Sequence, residues 1–231
     1  MTSGNALLSS LPPEELERIS LHLRRVELRQ GQLLFAAGEQ LTHLWFPESG
    51  AVARLVQLHS GETIEVGIFG DDSMVGLPST LRGGIANGQC LSLLNGSALT
   101  LSLSDYFSLQ DGMRTPLHDA LTREAGVSIA RLAQIAACHA LHRLEQRLAR
   151  CLLTIEDYAG EPLLPITHDM LASFLGVHRP SVTYALQALA QNGGIELERR
   201  RIIISDRKAL MASCCECYAS IKSLTAAAVT P

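Results

Sequence analysis

No stretch of the 231 residues approaches the ~18 uninterrupted apolar residues of a membrane span, and residues 1–12 lack the basic start and apolar run of a secretory leader. A cytoplasmic protein with no membrane partner is expected. Six cysteines, at 90, 138, 151, 214, 215 and 217, do not follow the spacing of a secreted disulfide framework. The short motifs of catalysis are missing too: there is no P-loop, no Gly-x-Ser-x-Gly elbow and no Gly-x-Gly-x-x-Gly turn. The His-x-His pair of a metal-dependent cupin is also absent. These absences argue against an enzyme. The chain shows no internal repeat and no low-complexity linker, and its 47 % hydrophobic content argues against disorder. Its length suits two moderate domains, each with a core of its own.

Net charge is −4, an unpromising start for a nucleic-acid binder, but the charge is unevenly placed. Residues 1–130 carry 8 Lys+Arg against 14 Asp+Glu, a net −6, whereas residues 131–208 carry 10 against 8, a net +2. Charges more than about 8–10 Å away are screened at cellular salt, so local arginine clusters decide whether a phosphate backbone is attracted.

The most informative segment is residues 165–195, PITHDMLASFLGVHRPSVTYALQALAQNGGI. Thr167 is placed to cap a first helix, whose Leu171, Phe174 and Leu175 fall on one apolar face. Ala172 is small where two helix axes must approach. Gly176 supplies the turn, Val177 follows as an apolar anchor, and Pro180 stands where a second helix begins. Val182, Leu186 and Leu189 form that helix's inner face, leaving Arg179, Ser181, Thr183 and Tyr184 for phosphates and base edges. An ordinary helical hairpin would share this pattern. The continuation separates the two readings: residues 195–197 and 201–204 are short β-prone runs that place Arg199, Arg200 and Arg201 at or beside a hairpin tip. A winged helix-turn-helix is therefore expected, with Thr167, His168, His178, Arg179, Pro180, Ser181, Thr183, Tyr184 and the three wing arginines as DNA-binding candidates.

The front half reads as an N-terminal helix opened by Pro12 and Pro13, with Leu16, Ile19 and Leu23 at helical spacing, followed by short strands punctuated by glycines. Strands are expected at 32–35, 43–47, 51–58, 89–94 and 98–103. Around 63–68, Ile64, Val66 and Ile68 alternate with Thr63, Glu65 and Gly67, predicting one buried face. About eight strands would close a small antiparallel jelly roll. A long helical stretch follows over 116–158, with a break expected around 138–141. Leu121, Ala125, Ile129, Leu132, Ala136 and His139 form a narrow stripe suited either to the same helix of a second subunit or to the protein's own barrel. The first option is simpler, because a two-fold dimer sets two recognition helices ~34 Å apart, one DNA turn.

The fold class expected is α+β: a double-stranded β-helix (jelly-roll) sensor domain at 1–112, a dimerisation helix at 113–139 and a winged helix-turn-helix domain at 140–231. In this order of elements, in the run HRLEQRLARCLL at 142–153, in the helix-turn-helix and in the wing, the chain resembles the Crp/Fnr transcription regulators over nearly its full length. The resemblance implies a homodimer on a palindromic double-stranded operator, a signal received at the β-roll, and RNA polymerase as a further partner. It places the family's base-reading positions on Arg179, Pro180 and Tyr184. Only Arg179 keeps the usual residue, so the operator is expected to differ from the family's best-known sites.

Cyclic-nucleotide binders of that family hold the ribose with the carboxylate of a Gly-Glu-Leu triplet and the cyclic phosphate with an Arg-Ser or Arg-Thr pair. The corresponding stretch here is GDDSMVGLPSTLRGGIANGQCLSL, with Leu77 at the glutamate position and Gly88-Gln89 near that of the arginine. Losing a charge-assisted phosphate contact removes roughly 1.5–3 kcal/mol. An effector other than cyclic AMP is implied; Met74, Gly76, Leu77 and Arg82 are the weak candidates around that site, and no cofactor is assigned. The N-terminal cysteine cluster of the iron-sulfur type is absent, the first cysteine being Cys90. A lone haem ligand among His22, His43 and His59 has no spacing signature. Cys214, Cys215 and Cys217 admit a thiol switch or a metal site, but three ligands in no standard zinc pattern leave the metal assignment at none. A ligand-binding or scaffold protein whose winged helix meets a protein partner is the alternative function.

Overall fold

A computed structural model of the chain describes residues 3–76, 84–110 and 114–229. The chain begins with a short helix α1 (Ala6–Ser9), capped by the Asn5 side chain, and α2 (Pro13–Ser20), which starts on its proline and buries Ile19. Seven strands follow: β1 (Arg24–Leu28), β2 (Leu33–Phe35), β3 (His43–Ser49), β4 (Val52–Gln57), β5 (Thr63–Phe69), β6 (Gln89–Ser92) and β7 (Gly96–Ser102). They pair antiparallel into two sheets, β1-β7-β3 and β2-β6-β4-β5. The expected β-roll is present. β1 was not foreseen, because Arg24, Arg25 and Glu27 break any apolar alternation; it is a partly exposed edge strand on β7. After α3 (Leu103–Gln110) comes the long helix α4 (Pro116–Leu141), capped by Thr115, which gives way to α5 (Leu144–Ala159) at His142 and Arg143. Both residues adopt extended backbone, placing the break just beyond the expected 138–141. Gly126 does not interrupt α4, whose 26 residues run unbroken.

The C-terminal part consists of β8 (Leu163–Leu164), α6 (His168–Leu175), α7 (Arg179–Gln191), β9 (Glu196–Glu198), β10 (Arg201–Ile203), α8 (Arg207–Ala212) and α9 (Cys217–Val229). β8-β10-β9 is a small antiparallel sheet, the wing with one added strand. No helix among the described residues is long and apolar enough to cross a membrane.

The alternation around β5 predicted one buried face, and the structure corrects that. Glu65 and Gly67, on the face assigned to solvent, are buried, because α5 and the helix-turn-helix cover that side of the sheet. One continuous apolar core joins Ala51, Ala53, Leu55 and Ile68 of the sheet to Leu148, Leu152 and Ile155 of α5 and to Leu171 and Phe174 of α6. Within it, Arg150 Nη2 of α5 donates to Glu65 Oε2 at 2.8 Å, with both side chains almost wholly buried. A second buried group, Glu124–Ser128–Arg131, lies within α4, and its Arg131 guanidinium reaches the sheet, 5.1 Å over the Phe69 ring. Gly70 is required where Tyr158 packs on the backbone: a Cβ there would fall 2.0 Å from the Tyr158 ring.

α9 is tied to the end of α5 through Asp157, which accepts from Tyr218 at 2.7 Å and from Lys222 at 3.0 Å and pairs with Arg207 at 2.6 Å. Burial works against the Asp157 carboxylate, but the Tyr218 and Lys222 hydrogen bonds and the Arg207 charge hold its pKa below the usual value. A depressed carboxyl pKa contributes stability that is complete above the unfolded value of about 3.9 and is lost as pH falls through the folded value. Urea unfolding across the acid range should therefore show Asp157→Asn less stable than wild type at neutral pH, the difference shrinking below about pH 4. A difference that stays constant with pH would show the pairing to be energetically idle. For the buried pair, Glu65→Ala should destabilise by about 3–5 kcal/mol, because Arg150 keeps its charge in an apolar core. Replacing both residues by apolar ones of similar volume should recover most of that loss.

Candidate nucleic-acid interface

Thr167 has extended backbone and its hydroxyl accepts from Met170 N at 3.2 Å, the N-cap expected from the sequence. α6 ends at Gly176, with φ +62°, a left-handed value that a glycine adopts without strain. α7 opens at Arg179 and Pro180, where the proline's missing N–H removes no hydrogen bond. Val182, Leu186 and Leu189 are fully buried against α5 and α6, so the opposite side of α7 is fixed toward solvent. Tyr184 is 73 % exposed there, and Arg179, Pro180 and Ser181 are exposed as well.

Arg179 and the wing converge. One open groove is lined by Thr167, His168, Arg179, Arg199, Arg200 and Arg201. Two acidic side chains temper it: Arg179 Nε stands 3.4 Å from Asp169, and Arg201 pairs with Glu198. Both pairs are solvent-exposed, and such pairs contribute ~0–1 kcal/mol, so a phosphate can displace either carboxylate. Arg200 carries a positive φ of 65° at the hairpin tip, which turns the chain between β9 and β10.

Other candidates are used differently. Thr183 donates to Arg179 O at 3.2 Å and meets His168 Nδ1 at 3.0 Å, so this hydroxyl links α6 to α7 rather than standing free. Burial, then the neighbouring Arg179 charge, lowers the pKa of His168. His178 and Ser181 face a different cleft, opposite Gly61 and Glu62 of the turn before β5 and Thr63 at its start. Across it the Thr63 hydroxyl donates to Ser173 O at 3.2 Å, and Ile64 sits against Gly176. The β4–β5 hairpin thus touches the turn of the helix-turn-helix directly.

The stripe on α4 divides. Leu121 is buried in the barrel core and Ala125 packs against that core; these two positions are corrected from a dimer face to an intrachain contact. His139 is corrected in the same way, since its Nε2 lies 3.0 Å from Glu65 O and its Nδ1 3.3 Å from Arg147. Leu132 is half-buried on the same side, beside Val66 and Ile68. Ile129 and Ala136 remain exposed, in line with Gly126, Ala133 and Ala140. The exposed stripe from Gly126 to Ala140 is a row of small side chains around one large apolar residue, Ile129.

At the β-roll, Met74 and Gly76 line an interior cavity with Phe35, Arg54, Phe69 and Cys90. Its volume is about 10 Å³, room for at most one water. Leu77 and Arg82 lie outside the described residues. Arg54, which the sequence did not single out, is the cation inside this cavity; its Nη2 donates to Asn87 Oδ1, and burial lowers its pKa. Nor did the sequence bring Cys138 and His142 together with Cys215 and Cys217, which the structure does. Two of these four side chains come from α4 and its cap, more than seventy residues upstream of the other two.

Comparison with known proteins finds two families along the chain. The cyclic nucleotide-binding domain family matches residues 25–111 and the Crp-like helix-turn-helix domain family matches residues 146–213. The cyclic AMP receptor protein of Thermus thermophilus is 26 % identical over 201 residues, 84 % of this chain and 89 % of that one. The CRP-like cAMP-activated global transcriptional regulator of Mycobacterium tuberculosis is 24 % identical over 211 residues, 88 % of this chain and 94 % of that protein. A solved structure of a Crp/Fnr-family protein from Eubacterium rectale superposes with a TM-score of 0.71 at 21 % identity, covering 90 % of this chain and 96 % of the other, a likeness of fold.

Proposed function

Because the chain belongs to the Crp/Fnr family of transcription regulators, we propose that it binds a two-fold operator as a homodimer, under the control of a signal other than cyclic AMP. The observation that carries this reading is the single groove shared by Arg179 and the three wing arginines, with Tyr184 exposed beside it. In it the N-terminal turn of α7 enters the major groove, Arg179 addresses base edges, and Arg199, Arg200 and Arg201 hold the flanking phosphates. Pro180 offers no hydrogen bond to a base, so discrimination at its position rests on shape and apolar contact.

The dimer is formed along the exposed face of α4. Gly126, Ala133, Ala136 and Ala140 allow a second helix to approach closely, and Ile129 gives the seam its apolar anchor. Such pairing places the two α7 helices about one DNA turn, ~34 Å, apart. RNA polymerase is the further partner this reading calls for.

Two relatives are named for cyclic AMP. Three features of this chain support a different effector: leucine at the position of the ribose-binding glutamate, no arginine-serine or arginine-threonine pair in the stretch 70–93, and a small interior cavity lined by Phe35, Phe69 and Met74.

Selection from randomised duplex DNA should enrich a palindrome. On the selected site, Arg179→Ala should lose about 1–3 kcal/mol of binding, 10-fold or more, with a much smaller loss on random duplex. Equal losses on both would make Arg179 a phosphate contact. Ile129→Glu should halve the sedimenting mass and abolish cooperative operator binding, whereas an unchanged mass would refute the placement of the seam.

A further inference from the structure

At the junction of α4 and α5 the structure gathers four metal-binding side chains from two distant parts of the chain. Cys138 lies in the last turn of α4, His142 caps that helix, Cys215 sits just before α9 and Cys217 is its first residue. One donor atom from each lies within 4.8 Å of all the others. Cys138 Sγ and Cys215 Sγ are 3.6 Å apart, and Cys217 Sγ and His142 Nδ1 are 3.5 Å apart. A tetrahedral zinc ion with bonds of ~2.3 Å to sulfur and ~2.0 Å to nitrogen sets its donors about 3.8 Å (S to S) and 3.5 Å (S to N) apart. Two of the pairs already stand close to that spacing, and all lie within 4.8 Å.

We propose that Cys138, His142, Cys215 and Cys217 form a closed, mononuclear site of the three-thiolate, one-imidazole type for Zn²⁺, which staples the C-terminal helix to the hinge between α4 and α5. The donor set is sulfur-rich and borderline-soft, a chemistry that rejects Mg²⁺ and Ca²⁺. All three thiols are buried, so a bound ion is shielded from competing water.

The groups around the four donors fit the same chemistry. The far ring nitrogen of His142, Nε2, stands 3.3 Å from Glu216 Oε1 while Nδ1 faces the thiols, the carboxylate–histidine–metal order that orients an imidazole ligand. Gln134 Nε2 donates to Cys217 Sγ at 3.0 Å. Metal binding releases the thiol protons to solvent. Cys214, half-buried with its Sγ directed at Cys215 O, stays outside the donor set and serves as the internal control.

The test uses the full chain, purified under reducing conditions without a histidine tag and reconstituted with ZnCl2 or CoCl2. Wild type and Cys214→Ser should each retain about one zinc per chain by elemental analysis, and cobalt should give the intense visible bands of a tetrahedral thiolate site. Cys138→Ser and Cys217→Ser should retain none. His142→Asn, at the more exposed edge of the site, should keep the fold and weaken binding, and Glu216→Gln should weaken it roughly 10- to 100-fold. Chelation should lower the thermal midpoint of wild type and leave that of the cysteine variants unchanged. A reduced, folded wild type that takes up neither metal would overturn the site, as would a Cys138–Cys215 disulfide recovered by peptide mass spectrometry after anaerobic reduction and reconstitution. Iron with inorganic sulfide in the reconstituted protein would overturn its mononuclear form.

Discussion

The contact on which the remaining architecture depends is the buried one between Glu65 of β5 and Arg150 of α5. Two charges in an apolar core are stable only together, since removing either leaves the other without water or a counter-ion. This pair joins a strand of the β-roll to the first helix of the DNA-binding module. Around it, sheet and module share one core, so the two halves meet as packed surfaces. A change in the barrel reaches the module through side chains in contact.

β5 concentrates these contacts. Along its length Thr63 touches Ser173 of α6, Ile64 packs on the glycine of the helix-turn-helix, Glu65 holds Arg150, and Phe69 lies under Arg131 of α4. The backbone carbonyl of Glu65 also meets His139 near the end of α4. A shift of this strand acts on the recognition turn, the long helix and the hinge together. Packed cores rearrange between discrete arrangements and do not deform smoothly, which is the property a switch requires.

How much of this was legible in the sequence follows from the range of each interaction. The helix-turn-helix was readable because its determinants are local: Thr167 caps, Gly176 turns, and Leu171, Phe174, Val182 and Leu186 repeat at helical spacing within a few turns. The barrel strands were readable from glycine punctuation, except β1, whose charged residues carry no alternation. The face of β5 was misread for a long-range reason. Glu65 alternates correctly for a solvent-facing residue, and its burial depends on Arg150, 85 residues away. The stripe on α4 failed in part for the same reason: periodicity shows that a face is apolar, but Leu121 and Ile129 look alike in sequence and only the barrel's position separates them. Cys138 and His142 were not associated with Cys215 and Cys217 because a site split across two segments has no spacing signature.

The closed barrel and the assembled hinge bear on how a signal enters. An effector can shift an equilibrium only by its difference in affinity between two states, so a ligand in the β-roll would need a state in which the space now held by Phe35, Phe69 and Met74 is opened. Opening it exposes apolar surface at about 25 cal/mol per Å², which the ligand's own contacts must offset. At the hinge the donors of Cys138, His142, Cys215 and Cys217 already lie within 4.8 Å of one another, so a bound ion needs no opening of the core. An ion there bonds to the last turn and cap of the long helix on one side and to the start of the C-terminal helix on the other, across the two residues where α4 gives way to α5. In the proposed dimer, its binding energy would act on the angle between the α4 seam and the α7 helices, the coordinate that would decide whether two half-sites can be met at once.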